Sequence, residues 1–159
     1  ASVNTNINTE LLNRIAQIES GGNPNAKAQG SSASGLYQFT NPTWKDAVAK
    51  YGAETGITLR DKNNPQAQKI MAALTLRDNS ADLSAFLGRE VHPVEIYLTH
   101  FLGLGGTKKL LASHPNQFAA KVLPEAARAN RSVFFKNGRP VTVAELYASL
   151  NNKVSTSKA

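Results

Sequence analysis

Ile15-Ala16-Gln17-Ile18-Glu19-Ser20-Gly21-Gly22 ends an amphipathic helix on an acid and follows it at once with two glycines. Leu11, Leu12, Ile15 and Ile18 recur at three- and four-residue spacing, which sets them on one helix face. Gly21 or Gly22 can take the left-handed conformation that closes such a helix. Glu19 therefore falls in the last turn, where unpaired backbone carbonyls carry partial negative charge. That is a poor place for an anion. A helix with only a solvated surface to present ends more naturally on Lys or Arg. A tolerated, exposed Glu is the other reading of this residue.

Outward from the glycines, Asn23-Pro24-Asn25-Ala26 reads as a turn, and Gly30-Ser31-Ser32-Ala33-Ser34-Gly35 as a flexible polar loop. Gly35-Leu36-Tyr37-Gln38-Phe39 follows. Asn41-Pro42 then opens a helix through Trp44, Ala47 and Val48 to Tyr51, with Gly52 as its stop. Upstream, Thr9 serves as cap of the first helix, with Glu10 in its first turn. Asn64-Pro65 opens the longest periodic segment, with Ala67, Ile70, Met71, Leu74, Leu83, Phe86 and Leu87 as its buried stripe. A break is expected at Asp78-Asn79-Ser80, and an end at Gly88.

Pro93 starts an apolar helix of Val94, Ile96, Tyr97, Phe101 and Leu102, closed by Gly103. Residues 107–113 and 116–123 read as two short helices, and Asn137-Gly138 as the turn of a small hairpin. Thr142-Val143-Ala144-Glu145 is a capping box for a last helix reaching about Leu150. The pattern predicts a predominantly α-helical α+β single domain over residues 9–150, with a small β-like lobe around 30–35. Residues 1–8 are expected to form an N-terminal arm and 151–159 a flexible polar tail.

A length of 159 residues suits one domain with a proper core. No apolar run is long enough to span a bilayer, and no leader is visible at the start. The absence of cysteine excludes disulfides and thiolate metal sites. A net charge of +7 predicts attraction to polyanions, either nucleic acid or the phosphate- and carboxylate-rich bacterial envelope. The basic residues are scattered and not interleaved with aromatic platforms, which argues against a specific nucleic-acid partner. His92, His100 and His114 lack metal-ligand spacing, and Gly103, Gly105 and Gly106 follow a helix rather than a strand. Neither metal nor cofactor is expected.

Taken together, Glu19-Ser20, Pro24, Gly35-Leu36-Tyr37-Gln38-Phe39 and Pro42 with Thr43 resemble the signature of the soluble lytic transglycosylase and goose-type lysozyme family. That signature reads Glu-Ser, a loop with Pro, Gly-Leu-Met-Gln-Ile and a Pro-x-Thr helix start; here Tyr37 replaces Met and Phe39 replaces Ile. The resemblance implies a lysozyme-like domain that cuts the MurNAc-GlcNAc β-1,4 bond of peptidoglycan. One Glu, here Glu19, protonates the leaving oxygen while the substrate's own N-acetyl group stabilises the intermediate. The same Glu then draws the muramic 6-hydroxyl onto the anomeric carbon, leaving a 1,6-anhydromuramyl end. Goose-type lysozymes share the pattern and hydrolyse, so a muramidase is one alternative. A non-catalytic peptidoglycan-binding module of a virion or secretion assembly is another.

Asp46, Glu54, Asp61 and Glu95 are the candidates for a second carboxylate. Asp46 is expected to face water, Glu54 and Asp61 to lie in a polar loop, and Glu95 to sit where the helix dipole alone explains it. The pattern is that of a one-acid site. The family's third motif, Ala-Tyr-Asn-x-Gly, aligns its Gly with Gly103 of Thr99-His100-Phe101-Leu102-Gly103. His100 then takes the place of the Tyr whose hydroxyl reaches the catalytic Glu, and Tyr97 shares its face one turn earlier. His100 is either that partner or a half-buried histidine with a local bond.

The His-Phe-Leu-Gly-x-Gly-Gly run and Leu123-Pro124-Glu125-Ala126-Ala127 are similar to transglycosylase domains of phage endolysins and virion proteins. Gln38 suits an N-acetyl group or sugar hydroxyl, or else holds its own loop. Ser20 binds substrate or bonds back to the helix end. Tyr37, Phe39 and Trp44 are candidate stacking walls for a sugar, with Trp44 and Phe39 equally suited to the core. The expected partners are peptidoglycan strands and the anionic envelope, met by a monomer in the periplasm or outside the cell.

Overall fold

In the computed structural model, which describes residues 8–158, helix α1 spans Thr9–Ser20. Its cap is Asn8 rather than Thr9: Asn8 Oδ1 accepts the Glu10 N–H at 2.7 Å. The rest of the expected N-terminal arm lies outside the described residues. At the other end Gly21 is left-handed, with φ 64°. The Gly21 N–H returns to Gln17 O and the Gly22 N–H to Ala16 O, which satisfies two orphan carbonyls of the last turn.

The chain continues through α2 (Asn41–Thr55), a 3-10 turn (Leu59–Asn63), α3 (Pro65–Leu87), α4 (Pro93–Phe101), α5 (Gly103–Leu111), α6 (Ala119–Val122), α7 (Pro124–Ala129) and α8 (Arg131–Phe134). Strands β1 (Phe135–Lys136) and β2 (Arg139–Pro140) and helix α9 (Val143–Thr156) complete it. Helix, the 3-10 turn included, accounts for 67% of the described residues and the named sheet has two strands, so the class is a predominantly helical, lysozyme-like α+β fold.

Three helices depart from the sequence expectation, each for a legible reason. Helix α2 passes through Gly52 and ends at Gly56, φ 76°. Gly52 is small because a Cβ there would come within 3.0 Å of Ile57 O, not because the helix stops. Helix α3 runs unbroken through Asp78-Asn79-Ser80. The Asp78 carboxylate accepts from Tyr51 Oη at 2.6 Å and pairs with Arg77 and Lys50, so it does not compete for α3's own backbone. Helix α9 does not stop at Leu150 but reaches Thr156, because Leu146, Leu150 and Val154 extend one buried stripe at four-residue spacing. Most of the expected flexible tail is therefore helix.

On α3 the buried stripe is Ala67, Gln68, Met71, Ala72, Leu76, Ser80 and Leu83, whereas Ile70 and Phe86 are exposed. Helix α4 closes at left-handed Gly103, φ 78°, as expected, and α5 starts there. Residues 124–134, for which no helix is expected, form α7 and α8. The Asn137-Gly138 hairpin forms as expected. Both residues are left-handed, φ 54° and 78°, as its two-residue turn requires, and Lys136 pairs with Arg139.

The chain divides into two compact units, one ending at Asp78 and the other spanning Asn79–Thr156. In the first unit the largest buried side chains include Ile15, Tyr37, Trp44 and Met71. In the second they include Tyr97, Leu98, Leu110, Phe134 and Leu146.

Glu95 organises the second unit and is more than a residue in a favourable dipole. Its side chain is only 1% exposed. It accepts from Arg89 Nη1 and Nη2 at 3.0 and 2.8 Å, from the His92 N–H at 2.8 Å and from Tyr147 Oη at 3.0 Å. One carboxylate thus joins the segment before α4, the first turn of α4, and α9. Burial alone would lift the Glu95 carboxyl, but these hydrogen bonds outweigh it and hold it below the ordinary glutamate value. The stability it contributes is fully present above the ordinary glutamate range and is lost as pH falls through the lower, folded value. The unfolding midpoint should therefore drop on acidification, and Glu95→Gln should flatten that drop. A series of Tm against pH on both proteins checks this; parallel acid limbs would remove Glu95 from the role.

Candidate active site

Glu19 sits half-buried in the last turn of α1, as its spacing from Gly21 and Gly22 requires. Ser20 bonds back, its Oγ donating to Ala16 O at 3.0 Å, the local one of its two expected roles. The chain then leaves through the Asn23-Ala26 turn and enters the expected β-like lobe. Ala28 N–H meets Ala33 O at 3.0 Å and Ser34 N–H meets Phe39 O at 3.1 Å, with bridges pairing Ser34 to both Lys27 and Phe39. Gly35 N–H reaches back to Ala26 O at 2.8 Å. This ties the loop to the segment that leaves the acid.

Gln38 is left-handed at φ 55°, a conformation a side chain disfavours and that persists only where its surroundings enforce it. Its Nε2 donates to Gly35 O at 2.8 Å and to Ala26 O at 3.2 Å. The amide hydrogens thus hold the loop. Tyr37 has no exposed surface and Phe39 is 3% exposed, with Phe39 edge-on to Trp44 at 5.4 Å between centroids. A sugar needs an open ring face to stack on, so these aromatics form the packed floor of the loop and not a stacking wall. Burial pushes the Tyr37 phenol up to about 12.

The remaining carboxylates of this unit have other surroundings. Asp46 and Glu54 are exposed on α2. Asp61 caps the 3-10 turn, accepting from the Thr58 N–H at 2.8 Å and from Thr58 Oγ1 at 3.2 Å. Asp78 is engaged by Tyr51, and Glu10 by Arg14. None of them stands beside the turn that is bonded to the loop through Gly35 N–H and Ala26 O.

Two polar residues that the sequence reading passed over hold the loop in place. Gln68 is 1% exposed on α3. Its Oε1 accepts the Leu36 N–H at 3.0 Å, and its Nε2 donates to Lys62 O at 2.9 Å. Lys62 Nζ donates to Ser32 O and Asn41 Oδ1, each at 2.7 Å. Burial lowers the proton affinity of the Lys62 amine. The one signal in the sequence was a polar residue on an apolar stripe, Gln68 between Ala67 and Met71.

In the second unit, α4 carries Tyr97 and His100. Tyr97 is buried, its ring stacked on Phe101 at 5.9 Å and 8°. His100 is half-buried in the last turn. Among the described residues no group of His, Cys, Asp or Glu could hold a metal ion, and no helix is long and apolar enough to cross a membrane. A family model described as Transglycosylase SLT domain matches residues 1–99.

Proposed function

The chain belongs to the transglycosylase SLT domain family, whose members are lytic transglycosylases that cleave glycosidic bonds of the cell-wall peptidoglycan, and on that premise we propose a one-acid mechanism centred on Glu19. The Glu19 carboxyl gives its proton to the oxygen bridging MurNAc to GlcNAc as the bond to the anomeric carbon breaks. The substrate's own N-acetyl oxygen shares the positive charge that develops there. The Glu19 carboxylate then takes the proton of the muramic 6-hydroxyl, whose oxygen bonds the anomeric carbon. The acid is restored, the product is a 1,6-anhydromuramyl end, and no water is consumed. The observation that supports this reading is the contrast among the carboxylates of the first unit. Glu19 lies half-buried at a helix end whose following turn is bonded to the Gln38 loop through Gly35 N–H and Ala26 O. Asp46 and Glu54 are exposed, Asp61 caps a turn and Asp78 is engaged by Tyr51.

Glu19→Gln keeps the shape of the side chain but has no acid proton to give. Lysis of purified sacculi should fall by about 10²–10⁴-fold or more while the protein stays folded. Wild-type product ends should be lighter by one water than hydrolytic ends; free reducing ends would make the enzyme a muramidase. A folded Glu19→Gln protein that clears sacculi at near wild-type rate would end the one-acid reading.

His100 is proposed to take the part of the family motif's Tyr, with Tyr97 as the alternative. Tyr97→Phe keeps the ring stacked on Phe101 and removes only the hydroxyl. His100→Phe should then lower turnover while Tyr97→Phe does not. The reverse pattern moves the role to Tyr97, and wild-type turnover in both dismisses the motif alignment at Gly103.

The positive charge is proposed to recruit the enzyme to the anionic envelope without entering the chemistry. Lys121, Arg128, Arg131, Lys136 and Arg139 are all exposed, with Glu125 the one acid in that stretch. Lys136 and Arg139 are direct cross-strand partners, an arrangement that an external anion relieves. Charge-driven attraction is screened over roughly 10 Å at 0.1 M salt. Added salt should slow lysis of sacculi and hardly affect cleavage of a short soluble glycan; equal sensitivity of the two would count against recruitment by charge.

A further inference from the structure

Gln68 combines features that a packing residue does not need. It lies on the buried stripe of α3, yet its whole amide is directed at backbone. Oε1 accepts from Leu36 N–H, and Nε2 donates to Lys62 O and reaches Pro24 O at a longer 3.5 Å. Those groups belong to three separate segments: the loop that carries Gln38, the 3-10 turn, and the turn that leaves α1 after Glu19. Gly35 is shaped to this amide. A Cβ there would lie 2.6 Å from Gln68 Nε2, and its φ of 86° already disfavours any side chain. Three residues on, Gln38 keeps its own left-handed backbone, and its Nε2 grips Gly35 O and Ala26 O, next to the groups Gln68 holds.

We propose that Gln68 is a positioning residue for cleavage: it pins residues 35–36 so that left-handed Gln38 presents its carboxamide oxygen to the glycan, and it does not touch the glycan itself. This rests on the reading of Glu19 as the acid. The side chain must be long enough to reach Leu36, must accept there and must donate to Lys62 O. A leucine side chain in its place would do neither of the last two. An ionised Glu at this position would accept from Leu36 but set an anion against the Lys62 carbonyl. A protonated Glu would restore both bonds, its carbonyl oxygen accepting and its hydroxyl donating. A site this buried favours that neutral form.

The experiment compares the full-length wild type with Gln68→Leu and Gln68→Glu, each assayed well below its own unfolding temperature. It reads kcat and KM on a soluble glycan across pH, with amide exchange of Leu36 followed by NMR. Misplacing a catalytic constellation by about 1 Å can cost on the order of 10²-fold, so Gln68→Leu should lose about 10- to 100-fold in kcat at every pH. Its Leu36 amide should exchange faster than in the wild type. Gln68→Glu should be as slow at mildly alkaline pH, and its rate relative to wild type should climb as pH falls and the new carboxyl protonates. Two results overturn the proposal: a folded Gln68→Leu protein with wild-type kcat, KM and Leu36 protection, or a Gln68→Glu to wild-type ratio that stays flat with pH. An inert wild type is a separate failure, read before any variant is compared. It removes the enzymatic reading, and the positioning role with it.

Discussion

A carboxamide taken out of water must find partners for both its ends, because an unpaired buried amide costs several times what a paired one gains. Gln68 meets that condition only while the 35–39 loop, the 3-10 turn and α3 hold one arrangement. The constraint runs in both directions: the loop supplies an N–H to Gln68, and Gln68 decides where that N–H, and the residues after it, can be. Gly35 has room for no side chain because the amide occupies the space a Cβ would need. Tyr37 and Phe39 fill the volume beneath the loop. A polar loop of small residues, which would otherwise sample many conformations, is thereby held in one.

Glu95 plays the corresponding part in the second unit, with a charge in place of an amide. A carboxylate that is 1% exposed is tolerable because Arg89, the His92 N–H and Tyr147 all donate to it, and Tyr147 comes from an element 52 positions further on. Removal of any donor leaves charge in a place that water does not reach. Burial lifts the Tyr147 phenol up to about 12, assisted by the carboxylate it donates to, so its proton stays available throughout the range in which Glu95 is ionised. Each polar centre thus fixes the segments that donate to it.

Glu19 illustrates what a close reading of neighbours can reach. Its position in a last turn followed by left-handed glycines depends on residues within one or two turns of it, and the helix closes as that local pattern demands. The Asn137-Gly138 turn and the Thr142-Glu145 capping box are of the same kind, with donor and acceptor three residues apart. The misjudged residues were those whose local signal is shared by two causes. A glycine such as Gly52 stops a helix or makes room for another backbone, and an Asp such as Asp78 breaks a helix or pairs across it. The part of each that prevails is decided by what packs against it.

The sequence by itself determined the helical class, most helix starts, the β-like loop and the placing of one acid at a helix end, because caps, periodicity and left-handed glycines act over a few residues. It also carried the resemblance that points to peptidoglycan. Tertiary structure alone decided that Gln38 uses its amide hydrogens on its own loop, that Tyr37 and Phe39 are floor rather than wall, and that Gln68 holds the loop from 32 positions away. A hydrogen bond between residues so far apart has no local trace. Its energy depends on burial and geometry that exist only once the chain has closed, and in the unfolded chain the same groups bond to water.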